Sequence, residues 1–284
     1  MKLQRIFPVV ILLVLAAFLY LSPGCGKSAV DNQLYLILYA FDSEGQLLSE
    51  KMNITATDTV LGRMVHRGSL AGKNIVLAES GVGMTNAAMT IQKMIDTYNP
   101  RAVIFSGIAG AIDSSVHIGD IFVGRSWATH DYGYIGVNGF EPNGIEVKLP
   151  SRAESERITY FQVDSSLFRK AESLAGKQIK LDSIGNRIPR LIAGGVGVSG
   201  NCFIDQAEKR LWLSGNFKAL TTDMETAAVA QVCGVNNIPF IAFRSASDLA
   251  GGSPSGSARE EIGRFFQVAA DNSAKVVMKF LESL

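Results

Sequence analysis

Thr221-Thr222-Asp223-Met224-Glu225-Thr226-Ala227-Ala228 is followed, after about one helix of chain, by Phe243-Arg244-Ser245-Ala246-Ser247-Asp248. Phe217 to Thr222 reads as a short apolar strand that stops at Asp223, and Glu225 through Val235 reads as a helix. Its residues Ala227, Ala228, Val229, Val232 and Cys233 are small or apolar, as in a helix buried against a sheet. Pro239 opens the next strand, Phe240 to Ala246, nearly all apolar yet carrying Arg244 and running into Ser247-Asp248. In a parallel α/β sheet, ligands bind at the carboxyl ends of strands, so Glu225 and Asp248 should face one crevice. The same residues also allow a purely structural reading, with Glu225 as a helix cap and Arg244 paired to Asp248.

The chain has 284 residues, 47% hydrophobic and 19% charged, enough for one sizeable α/β domain with no marked linker. Its formal net charge is +1, and removal of a leader containing Lys2 and Arg5 but no acid leaves about −1 (1 − 2). That balance offers no basic field for nucleic acid. Lys2 and Arg5 precede an apolar run, Ile6 to Leu21, and then Ser22-Pro23-Gly24-Cys25. The run is shorter than the roughly 20 residues that span a bilayer and has the layout of an export signal. Residues 1–24 are therefore expected to be a signal peptide resembling the lipoprotein type, with Cys25 as the lipidated residue and a membrane anchor. Residues 25–33 would be a tether and 34–284 the folded domain, exported to the cell envelope; Ser22 and Pro23 leave ordinary secretion or an uncleaved anchor open. Cys202 and Cys233 are too few for a disulfide framework, and His66, His117 and His130 are scattered, so no metal site is expected.

Leu34 to Ala40 reads as a buried strand ending in Phe41-Asp42-Ser43-Glu44-Gly45, which taken alone reads as a solvated loop. Arg63 to Ser69 and Asn74 to Glu79 read as strands around Ala71-Gly72-Lys73. Ser80-Gly81-Val82-Gly83 leads into a helix from Met84 to Tyr98; Asn86 stands where a dinucleotide fingerprint needs its third glycine, which argues against a Rossmann cofactor site. Ala102 to Phe105 is the next buried strand. After it, Ser106-Gly107-Ile108-Ala109-Gly110 lets backbone approach a ligand or makes a tight packing turn. Ile118 to Gly124 reads as a strand and Trp127 to Gly144 as a long irregular stretch. A helix at Ser165 to Leu174, a strand at Arg190 to Val198, a helix at Asp205 to Leu213 and a covering helix from Ala258 to Leu284 complete the pattern.

Four of these motifs, in this order, carry a resemblance: Ser80 to Gly83, Ser106 to Gly110, Thr222 to Glu225 and Arg244 to Asp248. Over Leu34 to Leu284 the chain resembles the purine nucleoside phosphorylase superfamily, most closely its 5'-methylthioadenosine/S-adenosylhomocysteine nucleosidase branch. The resemblance implies a three-layer sandwich, a central mixed, mostly parallel twisted sheet flanked by helices. It implies Asp248 as the acid at N7 of the base, oriented by Ser247, and Glu44 as the acid that deprotonates the attacking water. Glu225 would bind the ribose hydroxyls beside the Met224 backbone. Phe203 would stack on the purine, Ile204 would read the adenine edge through its backbone, and Arg244 and Gly107 would complete the substrate contacts.

The implied reaction is hydrolysis of a purine nucleoside, with no cofactor, by carboxylates acting at opposite ends of one transition state. Phe105 and Ile108 occupy the positions resembling a phosphorylase's phosphate-binding arginine and serine, which disfavours phosphorolysis. Phosphorolysis and a non-catalytic nucleoside binder are the alternatives. The resemblance also implies a homodimer or higher oligomer, with Trp127 to Pro150 placed to cover a neighbour's pocket.

Overall fold

In the computed structural model, residues 33–177 and 179–284 are described; the leader and Cys25 lie outside them, as does all of the tether but Gln33. The chain begins with β1 (Leu34–Tyr39), α1 (Asp42–Lys51), β2 (Asn53–Val60), β3 (Arg63–Leu70), β4 (Lys73–Glu79) and α2 (Met84–Tyr98). Then come β5 (Ala102–Ala111), β6 (Ile121–Val123), β7 (Ser126–Thr129), β8 (Gly133–Gly136) and β9 (Gly139–Pro142). They are followed by β10 (Ile145–Val147), β11 (Glu156–Ile158), β12 (Phe161–Gln162) and α3 (Ser165–Glu172). The remainder is β13 (Leu191–Ala193), β14 (Val196–Ser199), α4 (Ala207–Phe217), β15 (Ala219–Asp223), α5 (Thr226–Val235), β16 (Phe240–Leu249) and α6 (Ala258–Leu281).

Twelve of these strands form one mixed sheet, flanked by helices. The buried strands β1, β4, β5 and β16 pair in parallel, whereas β2, β3 and β4 form an antiparallel ladder. Their continuous apolar runs, including Leu36, Ile37, Leu38, Val103 and Ile104, are those of strands covered on both faces. Helix α2 buries Ala87, Ile91, Met94 and Ile95 on one stripe, and ends where Asn99 turns left-handed (φ 43°) ahead of Pro100. At the other end of the chain, Ser257 and Glu260 form a reciprocal capping box that starts α6.

Strand β5 decides where the crevice lies. Its first residues pair with β1, Tyr35 to Leu38 against Ala102 to Phe105, while Gly110 and Ala111 pair with the antiparallel β15 on the same side. Between these two partners, Ser106 to Ala109 have no strand neighbour on that edge, although β16 lines the other edge throughout. A ligand crevice at such a divergence is the general behaviour of open α/β sheets.

Several expectations change. Ser106 to Gly110 is strand, not turn, because β16 supplies backbone partners along its length. Phe41 to Gly45 is not a solvated loop: Asp42 starts α1 and Glu44 is buried. Phe217 belongs to the end of α4, where Lys218 adopts the left-handed conformation that releases β15. Arg190 to Val198 is two strands broken at Gly194 and Gly195, both at positive φ. The stretch Trp127 to Gly144 is largely strand, including the hairpin β8–β9. Strand β2, polar and half-exposed, escaped the apolar pattern.

Candidate active site

Glu44 fills the gap between the diverging strands. From the first turn of α1, its Oε2 accepts from the Ala40 amide at the end of β1 (2.5 Å), and its Oε1 accepts from the Ile108 amide of β5 (2.8 Å). The side chain is thus held where β5 lacks a strand partner, and its carboxyl is pushed up chiefly by burial, against the pull of Arg244.

Glu225 stands at the N-cap of α5 but makes no side-chain cap. Instead Oε1 accepts from the Gly83 amide at 2.8 Å, so the glycine turn before α2 orients an acid 142 residues away. Capping falls to Asp223, whose Oδ1 accepts from the amides of Glu225 (3.3 Å) and Thr226 (3.2 Å) and from Ser199 Oγ (2.5 Å). Burial and the neighbouring Asp223 raise the Glu225 carboxyl to about 7.

Arg244 is fully buried and lies behind these acids rather than beside Asp248. Its Nε is 2.8 Å from Asp223 Oδ2 and donates to Thr226 Oγ1 at 2.9 Å. Nη1 and Nη2 are 3.8 Å from Glu44 Oε1 and Glu225 Oε2, too far for hydrogen bonds, so they act by charge alone. The guanidinium carbon lies 3.9 Å from the Phe105 ring centroid. Burial is the common and largest cause of the elevated Glu44 and Glu225, and the formal excess of negative charge left by one cation among Glu44, Asp223 and Glu225 adds to it. Gly107 is required by this arrangement: a Cβ there would fall 2.0 Å from Arg244 Nη1 and 2.5 Å from Glu44 Oε1.

Asp248 has a different setting. It is 1% exposed, Ser247 Oγ donates to its Oδ2 at 2.8 Å, and Oδ1 has no partner among the described residues. Burial raises its carboxyl to about 7, with Ser247 opposing and Glu261 and Asp205 adding to the rise. The paired Arg244–Asp248 alternative is therefore set aside: Arg244 is committed to the three other acids.

A cavity of about 180 Å³ joins the two settings, lined by Glu44, Ile108, Phe203, Met224, Glu225, Ser247 and Asp248 among others, with no lysine or arginine in its wall. An adjoining annex of about 30 Å³ brings in Cys202 and Ile204. Arg244 and Gly107, expected to touch substrate, do not line the cavity; both lie against Glu44, which does. Asn201 is not in the wall either: its Oδ1 accepts from the Met84 amide at 3.0 Å and caps α2. Sequence reading assigned no role to Asp223, Ser199 or Thr226. The signal for Asp223 was its place immediately before the Met224-Glu225 pair, at a strand-to-helix junction.

A mixed sheet with an acid-lined pocket, free of lysine and arginine in its wall, at a strand divergence defines a class of small-molecule enzyme site. The chain belongs to the Phosphorylase superfamily, whose family model matches residues 35–282. It is 30% identical to the 5'-methylthioadenosine/S-adenosylhomocysteine nucleosidase of Staphylococcus haemolyticus, over 87% of this chain and 99% of that protein. Among solved structures it is similar to the nucleosidase of that name from Neisseria meningitidis in complex with methylthio-immucillin-A (TM-score 0.73, 27% identity, 89% of this chain, 100% of that one). It is also similar to futalosine hydrolase of Helicobacter pylori (TM-score 0.72, 25% identity, 89% and 98% covered).

Proposed function

We propose that this protein hydrolyses the N-glycosidic bond of purine nucleosides, adenine-bearing ones such as 5'-methylthioadenosine or S-adenosylhomocysteine, releasing free base and sugar. The observation that carries the reading is the pair of acids at two ends of one cavity: Asp248 with an unpartnered oxygen and an elevated carboxyl, and Glu44 anchored by two amides. Water adds to C1' of the ribose while the bond from C1' to N9 breaks and its electron pair passes to the base. Asp248 gives its proton to N7, and Glu44 takes the proton that the water loses. Both carboxyls are restored for the next cycle when that proton returns through solvent. Glu225, in the same wall, is placed to accept from the ribose hydroxyls and orient the sugar for attack. Phe203, partly exposed at the cavity and its annex, offers a ring face to the base.

The cation-free wall favours water over phosphate. A phosphorylase needs donors for a multiply charged anion, and here Arg244 lies behind the wall and is engaged by three of its carboxylates. The test uses the full-length protein in detergent with methylthioadenosine, S-adenosylhomocysteine, adenosine, inosine and futalosine, following free base with and without phosphate. Release independent of phosphate is the expected result. Phosphate-dependent release would make the protein a phosphorylase, and binding without release would make it a nucleoside binder.

The reading extends to location and assembly. The leader and Cys25 support an exported, lipid-anchored form, which acyl labelling of wild type against Cys25→Ser would test. Tyr134, Ile135 and Val137, exposed on the β8–β9 hairpin, support a homodimer or higher oligomer; a monomer in light scattering would refute it.

A further inference from the structure

We propose that Thr222 is a base-contacting residue that sets specificity, its hydroxyl donating to N3 of the purine while Asp248 engages N7. The inference rests on the nucleosidase reading above and deepens it. Three facts place Thr222 there. It pairs with Gly110 across β15 and β5, and Gly110 pairs with Asp248 across β5 and β16, so the three form one row over three neighbouring strands. Strand β16 bulges at Ser247 just before Asp248, and all three residues line both the main cavity and its annex. Finally, Thr222 Oγ1 and Asp248 Oδ1 are both buried and both without a hydrogen-bond partner among the described residues. Buried polar atoms left unmatched in a protein's own structure call for an explanation, and a ligand is one.

The ligand edge follows from the placement. The Thr222 and Asp248 backbones, two strands apart, stand roughly 9.6 Å from each other; their side chains reach in from both sides, and hydrogen bonds of about 2.9 Å bring them to atoms of one ring system. N7 and N3 lie on opposite sides of the fused bond of a purine, so one base can meet both groups. Gly110 makes the floor: a methyl there would sit 2.9 Å from Asp248 Oδ1 and occupy the space the ring needs. Because N3 carries only a lone pair, the Thr222 hydroxyl must be the donor. As the glycosidic bond breaks, negative charge spreads over the base, and a donor at N3 strengthens in the transition state.

The test measures adenine binding by calorimetry, and kcat/KM for adenosine or methylthioadenosine against the 3-deaza analogue, in full-length wild type, Thr222→Val and Thr222→Ser. Thr222→Val keeps the side chain's shape and should weaken adenine binding and kcat/KM about tenfold, the worth of one buried hydrogen bond. It should also erase the preference for the natural base over its 3-deaza analogue, and Thr222→Ser should restore both. Thermal melting of each variant separates a folding defect from lost contact. Thr222→Val that binds adenine within twofold of wild type, or keeps the 3-deaza discrimination, overturns the assignment of Thr222 alone. Wild type that binds no purine overturns the nucleosidase reading and this assignment together.

Discussion

The two ends of the cavity solve opposite problems with the same chemical group. At one end Glu44, Asp223 and Glu225 crowd around Arg244, with amides from Ala40, Ile108 and Gly83 holding the two glutamates. At the other, Asp248 has a single hydroxyl donor and acidic neighbours. Burial raises the carboxyls at both ends; at the first, Arg244 and backbone amides oppose the rise, which suits Glu44 to accept a proton, while at the second Ser247 alone opposes it, which suits Asp248 to give one. The difference teaches that carboxyl roles here are assigned by packing, since sequence position says only that all four are acids.

The largest effect that would break this contrast is expected from Asp248→Asn. Base release should fall roughly 10²- to 10⁴-fold, the usual weight of a general acid. Because the Asp248 carboxyl rises to about 7 from an ordinary value near 3.8, the native state holds a proton that the unfolded chain has lost between those values. Its contribution to stability is present below pH about 4 and lost as pH rises through about 7. Asp248→Asn should remove that part of the pH slope, so chemical denaturation at pH 8 should find the variant no less stable than wild type. A variant clearly weaker at pH 8 would show Asp248 ionised and compensated in the native state.

Next comes Arg244→Met, which leaves three acids without their cation. Breaking a buried ion pair costs about 3–5 kcal/mol, and denaturation curves should show the greater loss at pH 8, since at pH 5 the elevated Glu44 and Glu225 carboxyls are more readily neutralised. Equal loss at both values would mean that Arg244 acts by packing on Phe105 rather than by charge. Gly107→Ala should cost about 1–3 kcal/mol through overpacking against Arg244 and Glu44, and should slow base release because both acid and cation must move. Full activity in that variant would show that Glu44 need not be held in its observed position. Ser247→Ala should have the smallest effect. Removing the hydroxyl that opposes the rise of Asp248 moves the alkaline limb of the pH–rate profile upward, with a few-fold change in rate. A shift to lower pH would reverse the assigned role of Ser247.

The strands and helices that build the sheet were legible because burial on both faces writes itself as continuous apolar runs, as in Leu34 to Tyr39 and Phe240 to Phe243. Helix α2 was legible to the residue, since a glycine turn starts it and Asn99-Pro100 stops it. Less of the peripheral structure could be read. Strand β2 and the β8–β9 hairpin are polar or mixed, and their pairing is decided by partners, not by pattern. At the site, the resemblance and the strand-end rule pointed to Glu44, Glu225 and Asp248, and all three line one cavity.

By itself the sequence determined the α/β architecture, because hydrophobic periodicity and turn residues are local properties of the chain. It also singled out the carboxylates and suggested a leader over residues 1–24, just before Cys25. Only the tertiary structure decided that Arg244 serves Glu44, Asp223 and Glu225 and not Asp248, that Asp223 caps α5 in place of Glu225, and that Thr222 stands across Gly110 from Asp248. Those facts depend on strand register and on which groups are shut away together from water. Neither is written in the order of the residues, yet both fix where a proton rests.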